Sequence, residues 1–148
     1  ERLNGYRRAL REEGIPVNAN YIRFGESISV SQRDLRYGAI YKHTMDLITN
    51  YKITAIFSGN NLATIGAFSC LMKLGIKVPD DIAFITFDDS FWLTMTTPAL
   101  SAIAQNPDLI GDNAGKMIYE RLIDSRNEVS RTNELVRIPT QLIVRDSC

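Results

Sequence analysis

The sequence is poor in the residue types from which metal sites and disulfide frameworks are built. It has one histidine and two cysteines in 148 residues, and these three do not have the spacing of zinc ligands. Two thiols, Cys70 and Cys148, are too few for a disulfide framework, which favours a reducing, cytoplasmic setting. We therefore expect no metal ion and no cofactor.

The sequence also lacks net charge and long apolar runs. Its 17 Lys and Arg residues balance 17 Asp and Glu residues, so these residues alone should not hold DNA or RNA. No apolar run approaches the roughly 20 residues that span a bilayer, and we see no basic and apolar leader at the start. With 45% hydrophobic residues, the composition is typical of a globular domain without a membrane partner.

Hydrophobic patterning predicts an α/β protein with a parallel sheet flanked by helices. Ile53–Phe57 and Ile82–Phe87 are apolar without alternation, as in parallel strands covered on both faces. A helix over Leu62–Leu74 connects them in a right-handed βαβ unit. The other predicted elements are a helix from the first residues to Gly14, a β-prone run Tyr21–Phe24, a helix Asp34–Tyr51, a short strand Leu100–Ala104, a helix Asp108–Ile123, and strands Leu135–Ile138 and Gln141–Val144. Because no cap precedes the first helix, we expect the chain to be a piece of a longer protein.

Polar residues follow both buried strands at their carboxyl ends. Asn60 comes after the first strand, and Asp88 and Asp89 come after the second. Ligands of open parallel sheets collect beyond these ends. A carboxylate that accepts hydrogen bonds and an amide that both donates and accepts suit a polyhydroxylated or amide-bearing small molecule. Taken singly, either residue is equally compatible with a turn or a helix cap.

An enzymatic role is the less favoured interpretation of the same residues. Asp88 and Asp89 could hold magnesium or accept a phosphoryl group. However, the sequence contains no Gly-rich phosphate loop and no convincing Ser-His-Asp set. The single histidine, His43, lies off the apolar stripe of its helix and is expected to be solvated. We therefore expect the protein not to be an enzyme and to have no catalytic residue.

The predicted third helix is apolar on two sides. One stripe contains Ala63, Ala67, Cys70, Leu71 and Leu74, and the other contains Ile65, Phe68 and Met72. Such a helix packs against the sheet with one face and against something else with the other. The second face could be buried within a larger monomer or could form a subunit interface.

An ordered set of short motifs resembles the LacI/GalR family of transcription regulators. The motifs are Arg2-Leu3-Asn4-Gly5-Tyr6, Asn60-Asn61-Leu62-Ala63, Gly75-Ile76-Lys77-Val78-Pro79-Asp80-Asp81-Ile82, Phe87-Asp88-Asp89 and Thr97-Pro98-Ala99-Leu100. Each is weak alone, but their order and spacing are specific. The match covers nearly the whole chain and corresponds to the later part of the effector-binding region.

The resemblance implies a periplasmic-binding-protein type I fold, in which two α/β lobes enclose the effector. Residues 1–104 would form the C-terminal lobe without its first strand. Residues 105–140 would belong to the N-terminal lobe, and residues 141–148 would return to the C-terminal lobe. The DNA-binding headpiece and most of the N-terminal lobe would lie outside this chain.

The resemblance also implies a set of binding residues. Arg2, Asn60 and Asp88 match positions that contact the effector, and Pro107 and Ile110 match positions on the cleft wall. The helix from Asp34 and the third helix match elements used for homodimerisation. The predicted interface residues on these two helices are Tyr41, Ile65, Phe68 and Met72.

The implied function is effector sensing in a cytoplasmic transcription regulator. A small molecule, a sugar or sugar derivative, would bind in the cleft and shift the arrangement of the lobes. A homodimer would transmit this shift to the headpieces and change operator DNA binding. The alternatives are a periplasmic sugar-binding protein of a transporter, which shares the fold, and the metal-dependent enzyme that would use Asp88 and Asp89.

Overall fold

A computed structural model describes residues 1–25, 38–126 and 135–148, with the side chains of residues 125 and 126 left aside. Helices and strands alternate along most of these ranges. The helices are α1 (Arg2–Glu12), α2 (Ala39–Tyr51), α3 (Asn61–Leu74) and α4 (Pro107–Arg126). The strands are β1 (Ala55–Ser58), β2 (Ala83–Phe87), β3 (Ser101–Ala104) and β4 (Gln141–Ile143). None of the described helices is both long and apolar enough to cross a membrane.

The four strands form one sheet in the order β1-β2-β3-β4. β1, β2 and β3 are parallel, and β4 runs antiparallel to β3. Ser58 is in register with Thr86, and Phe87 with Ile103, so the carboxyl ends of the three parallel strands lie at one edge. The predicted α/β class with a mostly parallel sheet is confirmed.

The core lies between α3 and the sheet. Leu71 of α3 and Phe84 of β2 are completely buried, and the rings of Phe68 and Phe84 meet edge to face with centroids 5.9 Å apart. Such aromatic pairs stabilise a core beyond their buried area. The other buried members of this cluster are Ala67, Ile82, Leu93, Leu100 and Ala102.

A glycine allows α2 and α3 to pack at close range. A Cβ atom at Gly66 would lie 2.9 Å from Cγ2 and 3.1 Å from Cβ of Ile40. The first distance is shorter than Cβ contacts in proteins and the second is tighter than most of them, so a larger residue would push the two helices apart. The contact sets the distance between α2 and α3.

The last residues of the chain bind to β2 and β3 near the amino-terminal ends of these two strands. Ser147 is fully buried. Its hydroxyl donates to the carbonyl of Phe84 at 2.6 Å and accepts from the N–H of Ser101 at 2.8 Å. The carbonyl of Ser147 accepts from the N–H of Phe84 at 2.7 Å. The C-terminal tail therefore joins β2 to β3.

Two predicted strands are wrong. Tyr21 ends a single 3-10 turn (Ala19–Tyr21), and residues 22–25 have no regular structure. Side-chain contacts with α2 hold this segment instead: Arg23 pairs with Asp46 at 2.5 Å, and the Tyr21 ring meets the Tyr51 ring. Leu135–Ile138 also has no strand structure. A β-prone run becomes a strand only where a neighbouring strand offers its edge, and neither run has such a neighbour among the described residues.

Helix boundaries differ modestly from the predictions. α2 begins at Ala39, and the predicted start at Asp34 lies outside the described residues. α4 begins at Pro107 and extends to Arg126, which is slightly longer than predicted. Pro107 fits the first turn because its missing N–H needs no helical partner there.

Candidate functional site

Arg2 lies at the edge where the parallel strands end. Its guanidinium donates to the carbonyl of Gly59, just beyond β1, at 2.5 Å. The guanidinium carbon also lies 3.9 Å from the centroid of the Phe87 ring at the end of β2, a cation–π contact. The first turn of α1 is thus attached to the ends of two strands.

Asn60 is the N-cap of α3, which begins directly after β1. Its backbone is extended, with φ −167° and ψ 171°, and its side-chain oxygen accepts from the N–H of Ala63 at 2.8 Å. This bond satisfies one of the free N–H groups of the first helical turn. Because the oxygen is engaged, the amide NH2 group is the part of Asn60 that can donate to a ligand.

Asp88 occupies the left-handed region directly after β2, with φ 76°. This conformation costs an L-residue about 1–2 kcal/mol, and strained backbone of this kind clusters at binding sites. The Oδ1 atom accepts from the Nε2 of Gln105 at 2.5 Å. The structure shows no partner for Oδ2 among the residues it describes, so that oxygen can accept a hydrogen bond from a ligand.

The three predicted effector residues share one edge of the sheet. Ser58 is in register with Thr86, so Asn60 and Asp88 each stand two residues beyond a paired position. Arg2 touches the residue before each of them. The edge therefore presents guanidinium and amide donors beside a carboxylate acceptor, a combination that suits hydroxyl groups and amides.

Asp89 plays a different part from Asp88. Its two carboxylate oxygens accept from the guanidinium of Arg145 at 2.8 Å and 2.9 Å, and Arg145 also donates to the carbonyl of Leu100. The bond to Asp89 raises the pKa of Arg145 above its usual value. Both oxygens are engaged in a bidentate pair, so the partner of Asp89 in this structure is Arg145 and not Asp88. No cluster of three or more metal-ligating side chains occurs in the described part of the chain.

Sequence reasoning missed Gln105 and Arg145. Gln105 directly follows β3 at a carboxyl end, so the rule that singled out Asn60 and Asp88 could have found it. Arg145 is 56 residues from Asp89, and no local pattern joins them.

The two residues predicted to lie on the cleft wall are at the start of α4. Pro107 is the first residue of the helix and follows Gln105 by two positions. Ile110 is on the next turn, and its side chain is exposed. Their contact with a ligand stays a prediction.

Two of the four predicted interface residues are buried inside this chain. Tyr41 is 6% exposed and Phe68 is 8% exposed, and Phe68 packs on Phe84. They are covered within this chain because α3 packs one apolar face on the sheet and a second on α2, and their part in a dimer interface stays a prediction. Met72 is 57% exposed and Ile65 is half-buried, so only these two keep surface for a partner.

A groove of about 490 Å³ runs beside the free edge of β1. It is bounded by the start of α1, by residues 21–24 and by the end of α2. Its lining includes Tyr6, Tyr21, Arg23, Tyr51, Ala55 and Phe57. β1 is the last strand of the described sheet on this side, so its backbone groups toward the groove have no ladder partner.

Comparison with known proteins places these features in a family context. A repressor, the HTH-type transcriptional repressor PurR of Yersinia pestis bv. Antiqua, is 30% identical over 128 residues, covering 86% of this chain and 35% of the repressor. The PurR repressor of Salmonella arizonae is 28% identical over 146 residues, covering 99% of this chain and 40% of the repressor. The chain therefore spans about two fifths of the length of the curated relatives it matches.

Solved structures that resemble this chain are also those of transcriptional regulators. The transcriptional regulator CelR in complex with cellobiose matches with a TM-score of 0.82 at 26% identity, over 100% of this chain and 42% of that one. A sugar-binding LacI-family regulator from Escherichia coli, complexed with phosphate, matches with a TM-score of 0.72 at 27% identity, over 99% and 49%. These matches confirm the resemblance to LacI-family regulators. The family model of the periplasmic binding protein-like domain matches residues 1–148, and the chain belongs to that family.

Proposed function

We propose that this chain is the effector-sensing part of a LacI/GalR-family transcriptional regulator. The observation that carries the proposal is the position of Arg2, which joins the ends of β1 and β2 beside Asn60 and Asp88. The relatives are repressors and regulators, and one of the similar structures contains cellobiose. A cytoplasmic homodimer would bind operator DNA through segments outside this chain.

The chemistry of the edge favours a sugar or a sugar derivative as effector. A carboxylate oxygen of Asp88 can accept from a hydroxyl, and the guanidinium of Arg2 and the amide of Asn60 can donate to hydroxyl oxygens. The bonds made by Asp88 and Arg2 would be charge-assisted, and such bonds are roughly twice as strong as neutral ones. The effector would act by binding one arrangement of the lobes more tightly than another, with a coupling energy of about 1–3 kcal/mol.

We also propose that the chain contributes to two lobes. Residues 1–104 and 141–148 would form one lobe, in agreement with the antiparallel pairing of β4 with β3. Residues 105–140 would belong to the other lobe. Ile118, Tyr119 and Leu122 of α4 are exposed apolar side chains, and the remainder of that second lobe would cover them.

We propose that the first strand of the C-terminal lobe occupies the groove beside β1. α1 begins beside Gly59, so a strand directly preceding α1 would end at the same edge as β1 and run parallel to it. With a strand spacing of about 4.8 Å and a layer spacing of about 10 Å, the 490 Å³ of the groove corresponds to about 10 Å of strand, or three residues. Residues 21–24 close the far side, which leaves room for a single strand.

Calorimetric titration tests the effector site. The complete protein that contains this chain is titrated with cellobiose and with a panel of other mono- and disaccharides. For the sugar that binds, Asp88→Ala should weaken binding by about ten- to a hundredfold, because a hydrogen bond to a charged group contributes roughly 1.5–3 kcal/mol. Asp80→Ala, which removes an exposed carboxylate in the turn before β2, should leave the affinity unchanged.

Two results would count against the proposal. Equal affinities of the wild type and Asp88→Ala would remove Asp88 from the site. Failure of every sugar to bind at millimolar concentration would reject a carbohydrate effector, and the same titrations with nucleobases would then follow.

A further inference from the structure

Three hydroxyl groups are buried directly beneath the candidate site. They belong to Ser58 at the end of β1, Thr64 in the first turn of α3 and Thr86 in β2. Ser58 is 4% exposed, and Thr64 and Thr86 are completely buried. Polar groups in such a position require hydrogen-bond partners, and these three find them in one another and in two backbone carbonyls.

The three hydroxyls form a continuous network. Ser58 Oγ and Thr64 Oγ1 are 3.0 Å apart, and Thr64 Oγ1 contacts Thr86 Oγ1, where either atom can donate. Thr64 Oγ1 has one proton, which it can donate to the carbonyl of Asn60 at 2.8 Å or to Thr86 Oγ1. When it donates to Thr86, Ser58 Oγ can donate to the Asn60 carbonyl at 3.3 Å. Thr86 Oγ1 donates to the carbonyl of Phe87 at 3.1 Å. The network therefore ends on Asn60 itself and on the residue before Asp88.

The peptide group between Phe87 and Asp88 is held from both sides. Its carbonyl accepts from the Thr86 hydroxyl, and its N–H donates to the carbonyl of Ile103 on β3 at 3.0 Å. This peptide group directly precedes the left-handed backbone of Asp88. A strained conformation persists only where the surroundings determine it. Here the network supplies one of the two hydrogen bonds that hold this peptide group.

We propose that Thr64 and Thr86, with Ser58, are positioning residues for the ligand edge. They connect the cap residue Asn60 to the left-handed turn at Asp88, and so they set the spacing between two side chains that would read the ligand. The purpose of this arrangement rests on the proposed function. The geometry of the arrangement does not depend on that function, because the network and the turn can be measured without any ligand.

Hydrogen exchange measured by NMR on this chain tests the proposal. Thr86→Val keeps the size and shape of the side chain and removes the hydroxyl. The amide of Asp88 should then exchange about five- to tenfold faster, which is the effect of losing one hydrogen bond. The amide of Phe84, which lies on the same strand and bonds to Ser147, should keep its rate. Thr86→Ser should restore the wild-type rate at Asp88.

Thr44→Val is the matched control. Thr44 is also a buried threonine, but its hydroxyl donates to the carbonyl of Ile40 within α2. Thr44→Val should leave Asp88 exchange unchanged. Thr64→Val provides a second test: the amide of Ala63, which bonds to the Asn60 side chain, should exchange faster, and Thr64→Ser should restore it.

Several outcomes would overturn the inference. An unchanged Asp88 rate in Thr86→Val would show that the hydroxyl does not hold the turn. An equal acceleration at Asp88 and Phe84, or the same acceleration in Thr44→Val, would show a general loss of stability. If Thr86→Val does not fold, the Thr64 variants decide: no change at Ala63 overturns the proposal. A sugar that fails to bind while Asp88 responds as expected would reject the proposed function alone.

Discussion

The guanidinium of Arg2 lies over the ring of Phe87, with 3.9 Å between the guanidinium carbon and the ring centroid. Arg2 begins a helix and Phe87 ends a strand, so this contact fixes how α1 meets the sheet. The side chain of Arg2 also donates a hydrogen bond to the carbonyl of Gly59, and the two contacts together restrict its conformation. An arginine held in this way is already in place for a ligand, which lowers the entropy that binding must overcome.

The first prediction concerns the shape of this cation. Arg2→Lys keeps the positive charge but loses the planar fork, which stacks on the ring and donates at several positions. We expect effector binding to weaken about tenfold in Arg2→Lys and up to a hundredfold in Arg2→Ala, measured by titration calorimetry on the complete protein. Arg8→Lys, on the exposed side of α1, is the control. Equal affinities of Arg2→Lys and the wild type would show that charge alone suffices.

The second prediction compares two helical glycines. Gly66→Ala places a Cβ 2.9 Å from the branched side chain of Ile40, so α2 and α3 must separate. Overpacking of this kind costs about 1–3 kcal/mol of unfolding free energy. Gly5→Ala meets no atom within 4 Å and should stabilise α1 by about 0.5–1 kcal/mol. Urea unfolding measures both, and a neutral Gly66→Ala would contradict the packing described.

The third prediction concerns acid stability. The hydrogen bond from Arg23, followed by that from Asn50, lowers the pKa of Asp46 below its usual value near 3.8. A group with a lowered pKa in the folded state stabilises the protein above its unfolded pKa, and this contribution disappears as the pH falls. Between about pH 5 and pH 2, unfolding free energy should therefore decrease less in Asp46→Asn than in the wild type. Asp80→Asn controls for the removal of one charge, and parallel curves for all three proteins would contradict the prediction.

The fourth prediction tests the proposed strand beside β1. The N–H of Ala83 donates to the carbonyl of Thr54 at 2.9 Å. The backbone N–H and C=O groups of successive strand residues point to opposite sides of the strand. Those of Ile56 therefore point toward β2, as the carbonyl of Thr54 does, and those of Ala55 point toward the groove. Proline is tolerated at an edge position whose N–H has no ladder partner, so Ala55→Pro should unfold in urea almost like the wild type in this chain.

The longer protein provides the contrast. With the strand in place, Ala55→Pro removes a ladder bond and leaves a buried carbonyl without its donor, which should destabilise by about 1–3 kcal/mol. Ile56→Pro should be strongly destabilising in both forms, because it removes a bond to β2. If Ala55→Pro has the same small effect in the longer protein, no strand pairs with β1.

Much of the fold could be predicted because its signals are local. The apolar runs that form β1 and β2 do not alternate, which is typical of parallel strands covered on both faces. In the structure the face of β1 that carries Ala55 and Phe57 is exposed. The placement of Asn60 and Asp88 followed from the same two strands, because parallel strands end at one edge. The left-handed backbone of Asp88 had a weaker signal, since aspartate tolerates this conformation better than most residues.

The remaining features depend on contacts between distant parts of the chain. The composition of α3 shows two apolar faces, but it does not show that Phe68 meets the sheet while Gly66 meets α2. The run Tyr21–Phe24 has the residues of a strand and lacks a neighbour to pair with. Asp89 resembled a partner of Asp88 in the sequence, and its bond to Arg145 separates the two roles.

The anchoring of Ser147 has a practical consequence for spectroscopy of this protein. The neighbouring Cys148 is exposed, so it should react readily with a thiol-specific fluorophore. Cys70 is fully buried and burial raises the pKa of its thiol, so it should stay unlabelled while the fold is intact. A dye on Cys148 would thus lie next to Ser147, which joins β2 to β3, and would report the separation of these two strands.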